Sequence, residues 1–414
     1  EGYQVSVICQ RAPNEPWSEK IDDVFVYRYP APLQAQRAAG YLLEYGYSFV
    51  VIYLLSLFVW ARRGFDIIHA ANPPDFIVLI ALFYKIFGKQ FVFDQHDLTP
   101  EMYLARSNHG ENGLVYKILL WLERLSFRFA DHVIATNQSY KNIAMKRGGV
   151  PAERVTIVRN GPSLNRLKLV EPDPELKNKG VTIIGYIGVI SPQDGLDYLL
   201  RALERLLTVV GRKDFFCIII GTGSAWADLK TLAAQMGLDD CVKFTGFIPF
   251  ADVLRYMSAV DICVDPDPMN GFNEYCTMIK IMEYMTLSKP VVVFDLPEHR
   301  VTAGEAALYA RPNDELDFAR HIAALMDDPQ RRERMGRIGR QRVENELAWS
   351  HQAEHLLDLW QEVSPDEAAA KAQELAGRYR LRGITGSDLE RSVRLGLAMR
   401  RLVQRYRLDA LCFL

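Results

Sequence analysis

The sequence predicts an α/β protein of two domains, each built on a parallel sheet that helices cover on both faces. Short runs rich in Val, Ile and Phe alternate with helical patterns, which is typical of parallel βαβ units. The chain has 414 residues, more than one compact domain usually holds. A turn near 160–162, followed by the polar stretch 172–180, separates two series of predicted strands.

The first series has predicted strands at 4–9, 66–71, 90–95 and 132–137, with helices at about 42–62, 75–87, 112–130 and 138–147. The second begins at 154–161 and continues with strands at 180–188, 215–223, 242–248, 261–267, 290–296 and 306–311. Its helices cover about 194–209, 224–236, 250–258, 277–287, 315–326 and 329–347. We therefore expect Rossmann-like domains at 1–160 and 161–348, with ligands bound in a central cleft at the carboxyl ends of both parallel sheets.

The two ends of the chain carry further expectations. Glu1 is no natural start, and the strand pattern at 2–9 indicates that an upstream segment is missing from the first domain. A helix at 349–363 is expected to close the second domain. Residues 364–414 contain two basic amphipathic patterns and then a strand pattern, DALCFL, which we interpret as a helical extension and the start of a further domain.

Composition excludes a partner that is held mainly by charge. The formal net charge is −2, so the chain lacks the electrostatic footprint that nucleic acid requires. The six cysteines are far apart with no CxxC spacing, and three of them lie in apolar runs. Reduced, buried thiols and a cytoplasmic location are therefore expected.

One apolar segment, 45–61, has no charged residue and is followed by Arg62 and Arg63. It is near the short limit for a membrane span, and aromatic residues lie at both of its ends. Two interpretations stay open: a helix buried against the sheet of its own domain, and a peripheral membrane contact that leaves the protein membrane-associated.

Candidate donor-binding residues follow the predicted strand that ends at Asp265. A loop with two prolines leads to a helix carrying Lys280 and Glu283, which are three residues apart and so share one face. The helix N-terminus suits a diphosphate, Lys280 can oppose phosphate charge, and Glu283 can accept hydrogen bonds from two ribose hydroxyls. A surface ion pair between Lys280 and Glu283 is the alternative.

Two glycine turns follow neighbouring strands. The first contains Gly188 and Gln193, and the second contains Gly221 and Gly223. Both turns open helices, so their glycines would let the backbone approach a bound ligand closely. Either turn alone is common in α/β proteins.

His96 follows a strand end in FDQHDLTPE, where it could donate a hydrogen bond to a sugar hydroxyl or assist at the reacting centre. The alternative is a pair with the adjacent Asp97 that stabilises the loop. HExxH, GxSxG, Walker A and zinc-knuckle patterns are absent from the sequence, which removes metalloproteases, serine hydrolases and P-loop enzymes.

The ordered set GYxVxVIC, DIIHAANPPD, ADHVIATNQSYK, VTIVRNGP, YIGVISPQDGLDYLLRAL, CVKFTGFIP, MIKIMEYMTLSKPVVVFDL and GEAALYARPND resembles family 4 of the retaining glycosyltransferases, over about 2–362. The resemblance implies the GT-B fold, with two Rossmann-like domains. It implies that Glu283 binds the nucleotide ribose, with Lys280 completing a Lys-x-x-Glu helix. His96 would lie near the donor sugar, and Tyr275, with Asn273 and Glu274 beside it, takes the position of a sugar-contacting Glu.

The sequence departs from the family at two cations that hold the donor diphosphate. Val189 stands where an Arg is frequent, and Asp194 where a Lys is frequent. Lys280, helix N-termini, or Arg159 and Arg300 are then expected to stabilise the leaving group.

The resemblance implies sugar transfer from a nucleotide diphosphate sugar to a glycan, a lipid-linked acceptor or a polysaccharide precursor, with retention. The donor is a substrate, so no cofactor and no metal ion are expected. Two rivals stay open: a nucleotide-sugar epimerase on the same fold, and a catalytically decayed binding or scaffold protein, which Val189 and Asp194 favour.

Overall fold

A computed structural model of the chain describes residues 4–32, 38–106, 110–358 and 411–413. These residues form two compact units. The first holds the described residues within 1–100, 111–158 and 354–414, and the second holds those within 101–110 and 159–353. The chain passes into the second unit after Val158, next to the turn expected at 160–162.

The first unit contains a sheet whose strands are parallel, apart from one edge strand that forms a hairpin. The sheet includes β1 (Ser6–Arg11), β2 (Ser18–Ile21), β3 (Val24–Pro30), β4 (Ile67–Ala71), β5 (Gln90–Gln95), β6 (His132–Ala135) and β7 (Val155–Ile157). Sequence reasoning missed the antiparallel β2–β3 pair. Asp22 and Asp23 form its turn with positive φ angles of 47° and 69°, and Asp tolerates this conformation. Sequence reasoning also assigned β7 to the second series of strands, whereas β7 pairs with β6 in this sheet.

The second unit contains a parallel sheet of six strands in the order β10-β9-β8-β11-β12-β13. This is the doubly wound order of Rossmann folds. The strands are β8 (Thr182–Ile187), β9 (Phe215–Ile220), β10 (Val242–Gly246), β11 (Ile262–Asp265), β12 (Val291–Phe294) and β13 (Ala307–Ala310). Because the order reverses between β8 and β11, the loops after these two strands lie where ligands of such sheets bind.

The strand pattern near the end of the chain forms β14, Leu411–Phe413, in the first unit. It runs parallel to β1 and β4 and lies between them, so the first sheet has the order β2-β3-β1-β14-β4-β5-β6-β7. We expected this pattern to open a further domain. Instead, its backbone groups pair with those of β1 and β4 on either side. The helical patterns expected at 364–410 lie outside the described residues.

The helices follow the predicted periodicities, with shifts of a few residues at their ends. They are α1 (Ala38–Arg63), α2 (Ile77–Lys85), α3 (Thr99–Arg106), α4 (Leu114–Phe129), α5 (Gln138–Lys146), α6 (Pro174–Lys177), α7 (Leu196–Thr208), α8 (Trp226–Gln235), α9 (Phe250–Ala259), α10 (Ile279–Thr286), α11 (Pro297–Ala303), α12 (Glu315–Met326), α13 (Pro329–Arg342) and α14 (Trp349–Asp358). The short helices α3, α6 and α11 were not predicted. Their length gives too few turns for an apolar period to show.

Apolar side chains cover both faces of the second sheet. On one face, α7 packs its Leu-rich stripe against the sheet beside α12. On the other face, α9 and α10 pack around Met257, Ile281 and Met285. The packing of α10 on the sheet holds its first turn next to the loop after β11.

Helix α1 contains the apolar segment 45–61 and is buried on one face only. Ser48, Ile52, Ser56 and Val59 are buried, yet only 22% of the apolar window within Leu43–Arg63 is buried. In the described part of the chain, this is the one helix long and apolar enough to cross a membrane. Length and composition alone are weak evidence for a membrane span, because the core helix of a soluble protein passes the same test. The interpretation as a helix buried against its own sheet therefore holds for one face of α1 only.

Candidate functional site

The centre of the candidate site in the second unit is the ammonium group of Lys280, in the first turn of α10. Its Nζ lies 3.2 Å from Oδ1 of Asp265, 3.2 Å from Oδ1 of Asp267 and 3.7 Å from Oδ1 of Asp194. Nζ also lies 3.4 Å from the hydroxyl of Tyr186. Lys280 therefore joins the end of β11 and its loop to the loop after β8.

Burial makes these charges strongly interdependent. Asp265 is fully buried and Asp267 is 1% exposed. Burial alone would lower the pKa of Lys280, but Asp265 and Asp267 raise it well above its usual value, so Lys280 stays charged. Burial and the charge of Asp265 raise the pKa of Asp267 well above its usual value. Protonation of Asp267 is thus favoured within the cluster.

His299, which sequence reasoning missed, lies behind this cluster on α11. Its Nδ1 donates to the carbonyl oxygen of Phe294 at 2.9 Å, and its Nε2 lies 3.7 Å from Oδ2 of Asp265. Burial lowers the pKa of His299, so the neutral ring with an unprotonated Nε2 is favoured. His299 is a single His after β12, and no motif marks it.

The ligand atoms of Asp265, Asp267 and His299 lie within 4.8 Å of one another, a spacing that a metal ion could bridge. However, the Lys280 ammonium group already lies between the two carboxylates. A divalent cation at this position would be repelled by the charge of Lys280. The two carboxylates therefore suit the ammonium group of Lys280 better than a metal ion.

Glu283 lies one helical turn after Lys280 and is partly buried. Burial raises its pKa, while the nearby charges of Arg166 and Lys280 oppose this shift. The ion pairs of Lys280 in the described residues are with Asp194, Asp265 and Asp267, and not with Glu283. The alternative of a simple Lys280–Glu283 surface pair is therefore wrong. The ribose-binding role of Glu283 stays a prediction.

Asn273 holds the loop between β11 and α10. Its amide nitrogen donates to the carbonyl oxygens of Gln193 and Pro268, both at 3.0 Å. Glu274 and Tyr275 share its short 3₁₀ turn and are partly exposed. The structure therefore brings Gln193 and Asn273 together through the backbone. Sugar contacts by Asn273, Glu274 and Tyr275 stay predictions.

Tyr284 ties α10 directly to the end of β8. Its buried hydroxyl accepts a hydrogen bond from the backbone N–H of Ile187 at 3.0 Å. The neighbouring strand and helix are thus held together one residue before the turn at Gly188. Sequence reasoning missed this role, because a Tyr within an apolar helical pattern indicates only burial.

The glycines of the two turns are required by contact between the turns themselves. A Cβ at Gly221 would lie 1.9 Å from the carbonyl oxygen of Gly188, and one at Gly223 would lie 2.2 Å from that of Ile190. Backbone hydrogen bonds from Gly188 to Ile220 and from Ile190 to Thr222 join the two loops. Glycine is therefore required at Gly221 and Gly223 because the two loops pack against each other. Close approach of a ligand to these turns stays a prediction.

The positions that lack the family's cations have defined local roles. Val189 is exposed. Asp194 completes a capping box, because its Oδ2 accepts a hydrogen bond from the backbone N–H of Ser191 at 2.9 Å. Arg300 is paired through two hydrogen bonds with Asp295. Arg159 is partly buried, with its Nη1 3.5 Å from the hydroxyl of Thr277.

His96 belongs to a separate polar group in the first unit. Its Nε2 lies 3.1 Å from Oδ2 of Asp94, which also contacts Nε2 of His69 at 2.9 Å. Burial would raise the pKa of Asp94, but hydrogen bonds with His69 and His96 lower it to about 2. The hydrogen bond to Asp94 raises the pKa of His96. The charge of Asp97, the expected partner, also raises the pKa of His96, but less than the hydrogen bond to Asp94 does.

Asn72, at the end of β4, organises this loop. Its Oδ1 accepts hydrogen bonds from the backbone N–H groups of His96 and Asp97, and its Nδ2 donates to the carbonyl oxygen of Asp97 at 2.7 Å. The buried amide thus fixes the backbone on which His96 stands. The Asn-Pro-Pro sequence indicated a turn, but not this contact.

Substitution of Gly223 by Ala should destabilise the second unit by about 1–3 kcal/mol, because the new methyl group overlaps the Ile190 carbonyl. Gly271→Ala is the matched control, since a Cβ there would have no atom within 4 Å. Urea unfolding measures both variants. Equal stabilities would contradict the packing role of Gly223.

Substitution of Lys280 by Met should destabilise the protein by about 3–5 kcal/mol, because it leaves buried carboxylates without their cation. Exposed Lys213→Met is the control. Loss of the ammonium raises the folded-state pKa of Asp267 further. A group with a raised folded-state pKa loses its stabilising contribution as pH rises. The deficit of the Lys280→Met variant, measured by urea unfolding, should therefore be smaller at pH 5 than at pH 8.

Substitution of Asp94 by Asn should lower the pKa of His96, because the imidazolium loses the carboxylate that stabilises it. NMR titration of the imidazole signals measures this pKa. Asp97→Asn should lower it less, since the charge of Asp97 raises this pKa less than the hydrogen bond to Asp94 does. A larger effect from Asp97→Asn would show that the Asp94 contact is not the main cause.

Comparison with known proteins gives one consistent family. The model for a glycosyl transferase 4-like domain matches residues 1–161, and the model for glycosyl transferases group 1 matches residues 181–328. Alpha-maltose-1-phosphate synthase of Mycolicibacterium smegmatis is 27% identical over 305 residues, which are 67% of this chain and 74% of that protein. The 2-deoxystreptamine glucosyltransferase of Streptomyces kanamyceticus is 24% identical over 241 residues, 56% of this chain and 60% of that protein.

Solved structures show the same fold. Sucrose-phosphate synthase from Thermosynechococcus elongatus superposes with a TM-score of 0.70 at 20% identity, over 87% of this chain and 89% of that one. WaaG, a glycosyltransferase of lipopolysaccharide biosynthesis, gives a TM-score of 0.63 at 15% identity, over 86% and 91%. Together with the two adjoining family matches, this similarity shows that the chain belongs to the family 4 glycosyltransferases and has their GT-B fold.

Proposed function

We propose that the chain transfers a glycosyl group from a nucleotide diphosphate sugar to a hydroxyl acceptor with retention of anomeric configuration. The observation that carries this proposal is the position of Glu283, partly buried on α10 in the unit that matches glycosyl transferases group 1. A buried carboxylate on this helix suits recognition of a polar, uncharged ribose edge. Family membership supports sugar transfer. The nucleotide donor, the hydroxyl acceptor and retention are what we propose in addition.

Relatives support a nucleotide sugar as donor. Anabaena Alr3699/HepE, with a TM-score of 0.62 and 17% identity over 87% of this chain and all of that one, was solved in complex with UDP and glucose. A relative from Corynebacterium glutamicum, 28% identical over 261 residues, is named as a GDP-mannose-dependent mannosyltransferase. Because these donors differ in base, the base used by this chain has to be measured.

The acceptor in this proposal is a glycan or a lipid-linked hydroxyl. The C. glutamicum relative is named for a phosphatidylinositol monomannoside, and a relative from Erwinia amylovora, 30% identical over 219 residues, for amylovoran biosynthesis. The regions that match this chain cover 57% to 74% of the length of four such relatives. The acceptor and the donor of the whole protein are therefore proposals.

The proposed chemistry uses charge at the start of α10. Met278 precedes this helix without a side-chain cap, so its first N–H groups and the helix dipole can face the departing diphosphate. Glu283 would accept hydrogen bonds from the ribose. In the first unit, Asp94 stabilises the imidazolium of His96, and a hydrogen bond from His96 to a sugar hydroxyl stays a prediction. We propose that this arrangement needs no metal ion or cofactor.

We propose that the protein is cytoplasmic. The described cysteines are free thiols, and Cys217 and Cys263 are fully buried, which raises their pKa values and makes them unreactive. Thiols of this kind persist in a reducing compartment.

The rival function is a nucleotide-independent scaffold. The observation in its favour is the position of Asp194, whose carboxylate faces Lys280 where the family usually has a cation. A scaffold would bind no nucleotide. An epimerase would bind nucleotide sugar and convert it without an acceptor. Nucleotide binding therefore separates the scaffold from both enzymes, and acceptor dependence separates the two enzymes.

The test is a thermal-shift screen of UDP, GDP, ADP and their sugars against the whole chain. A nucleotide at 100 times its Kd stabilises by about 2.7 kcal/mol, which raises Tm by about 2–4 °C. We expect one base to give this shift. The shift should disappear in Glu283→Gln, which keeps the size of the side chain and removes its charge, while the exposed control Glu305→Gln should retain it.

Transfer is then measured with the identified donor and a panel of glycan and lipid-linked acceptors. An α-linked product from an α-linked donor, read from the anomeric proton coupling by NMR, would support retention. The absence of a shift with any nucleotide would favour the scaffold. Conversion of the donor without acceptor would favour the epimerase.

A further inference from the structure

Helix α1 has two apolar faces, and only one of them contacts the protein. The buried face contains Ser48, Ile52, Ser56 and Val59. The opposite face presents five exposed residues at spacings of three and four, which place them in one stripe about 22 Å long: Leu43, Tyr47, Val50, Leu54 and Phe58. Leu43 is 76% exposed and Leu54 is 57% exposed. The outward face of a helix on a water-soluble domain normally carries polar residues.

Other helices of the first unit also carry exposed apolar residues. Phe49 and Tyr53 of α1 pack edge-to-face on Phe76 and Phe83 of the α2 segment, and α2 also contacts α4. Exposed apolar residues recur on these helices: Ile86 and Phe87 after α2, and Leu114, Val115, Ile118 and Trp121 on α4. We call these residues and the α1 stripe the apolar face. Exposed apolar patches such as the α1 stripe mark interaction surfaces.

Positive charges border the apolar face. Arg62 follows the α1 stripe and lies over the ring of Phe58, with 5.9 Å between its guanidinium carbon and the ring centroid. On α4, Lys117, Arg124 and Arg128 are exposed and share the helix side next to Trp121. The spacing 117, 121, 124, 128 puts all four side chains in one line. An apolar stripe bordered by cations matches the acyl boundary and the headgroups of an anionic bilayer.

A shallow cavity adjoins the end of the stripe. It has a volume of about 480 Å³ and shares Phe58 with the apolar face, and Leu55, Phe25, Arg62 and Arg63 also line it. Arg28 and Glu19 line it too and form an ion pair with each other at 2.6 Å. The aromatic walls together with the guanidinium groups of Arg62 and Arg63 suit a phosphate-bearing headgroup next to its acyl chains. This second feature favours lipid over an apolar protein partner, because a protein partner does not require anionic groups at the border.

The buried face of α1 also decides between lying on a bilayer and crossing it. A helix that crosses a bilayer would be free of packing against a water-soluble sheet and would contact acyl chains along its whole length. Here α1 packs against β1 and β3 and against the aromatic residues of α2 along the same length. Only the outward half of α1 is available to lipid, as in an interfacial helix.

We propose that the apolar face, with its border of Arg62, Lys117, Arg124 and Arg128, docks the first unit onto an anionic lipid surface, with α1 lying in the interface. The proposal goes beyond the proposed function, because it holds whether or not the chain transfers sugar. It assigns the apolar segment 45–61 to the surface of a membrane, and it adds α4, which sequence reasoning had treated as an ordinary helix.

The test is flotation of the whole chain with vesicles of phosphatidylcholine, alone or mixed in equal parts with phosphatidylglycerol. We expect binding to the mixed vesicles and weak binding to phosphatidylcholine alone. Leu54→Glu and Phe58→Glu should each weaken binding about tenfold, because each removes one buried apolar side chain from the interface. Val209→Glu, at an exposed Val of the second unit, is the matched control and should bind normally.

The border is tested by neutralising its cations. Lys117→Gln, Arg124→Gln and Arg128→Gln should each reduce binding to the mixed vesicles by about fivefold, and should leave the weak binding to phosphatidylcholine unchanged. Lys213→Gln, exposed in the second unit, is the control. Circular dichroism and the nucleotide-induced rise in Tm report folding independently of lipid, so a failed fold is distinguishable from lost docking.

Three outcomes would overturn the proposal. The wild-type chain could fail to float with the mixed vesicles, or the Leu54→Glu and Phe58→Glu variants could float as well as Val209→Glu. In the third outcome, sedimentation velocity would show a dimer that Leu54→Glu converts to a monomer, and the apolar face would then be a contact between copies of the chain. Loss of nucleotide binding with normal flotation would count against the proposed function alone.

Discussion

The ion cluster around Lys280 is the interaction on which the candidate site depends. One ammonium group holds carboxylates from three segments, Asp194 after β8, Asp265 at the end of β11 and Asp267 in the following loop. Each carboxylate alone would be costly to bury, and the ammonium offsets this cost for all of them. The start of α10 is thereby fixed against both loops at the switch point of the sheet, and the hydrogen bond from Ile187 to Tyr284 reinforces it.

This interaction also explains why Lys280 and Glu283 have different environments on one helix. Lys280 points into a buried group of acids, whereas Glu283 is only partly buried, and the ion pairs of Lys280 among the described residues do not include it. The spacing of three residues placed both on one side of α10, and the local packing then separated their partners. A short motif can therefore be recognised correctly while the role of one of its members is set by residues outside the motif.

The sequence predicted the long elements and the sheets well, because apolar periodicity reports burial directly. It missed the β2–β3 hairpin, whose Asp22–Asp23 turn lacks the usual glycine, and the place of β14, which depends on pairing with strands remote in sequence. In the site, Asp265 and Lys280 were identified from their positions. His299, Tyr284 and Asn72 were not, because each acts through a contact to a distant backbone or carboxylate that no local pattern encodes.

The departures at Val189 and Asp194 have a joint electrostatic consequence. A cation at position 194 would lie close to Lys280, and the two would repel each other beside the carboxylates of Asp265 and Asp267. With Asp194 in that place, Lys280 instead gains a third carboxylate, so the cluster is more negative than a site that carries the family's cations. Burial and the charge of Asp265 raise the pKa of Asp267, and protonation of Asp267 reduces the negative charge of the cluster. Even with Asp267 protonated, one ammonium group faces the carboxylates of Asp194 and Asp265. The side chains of this cluster therefore do not make the loop region positive, and the positive contribution at the start of α10 is that of its helix dipole.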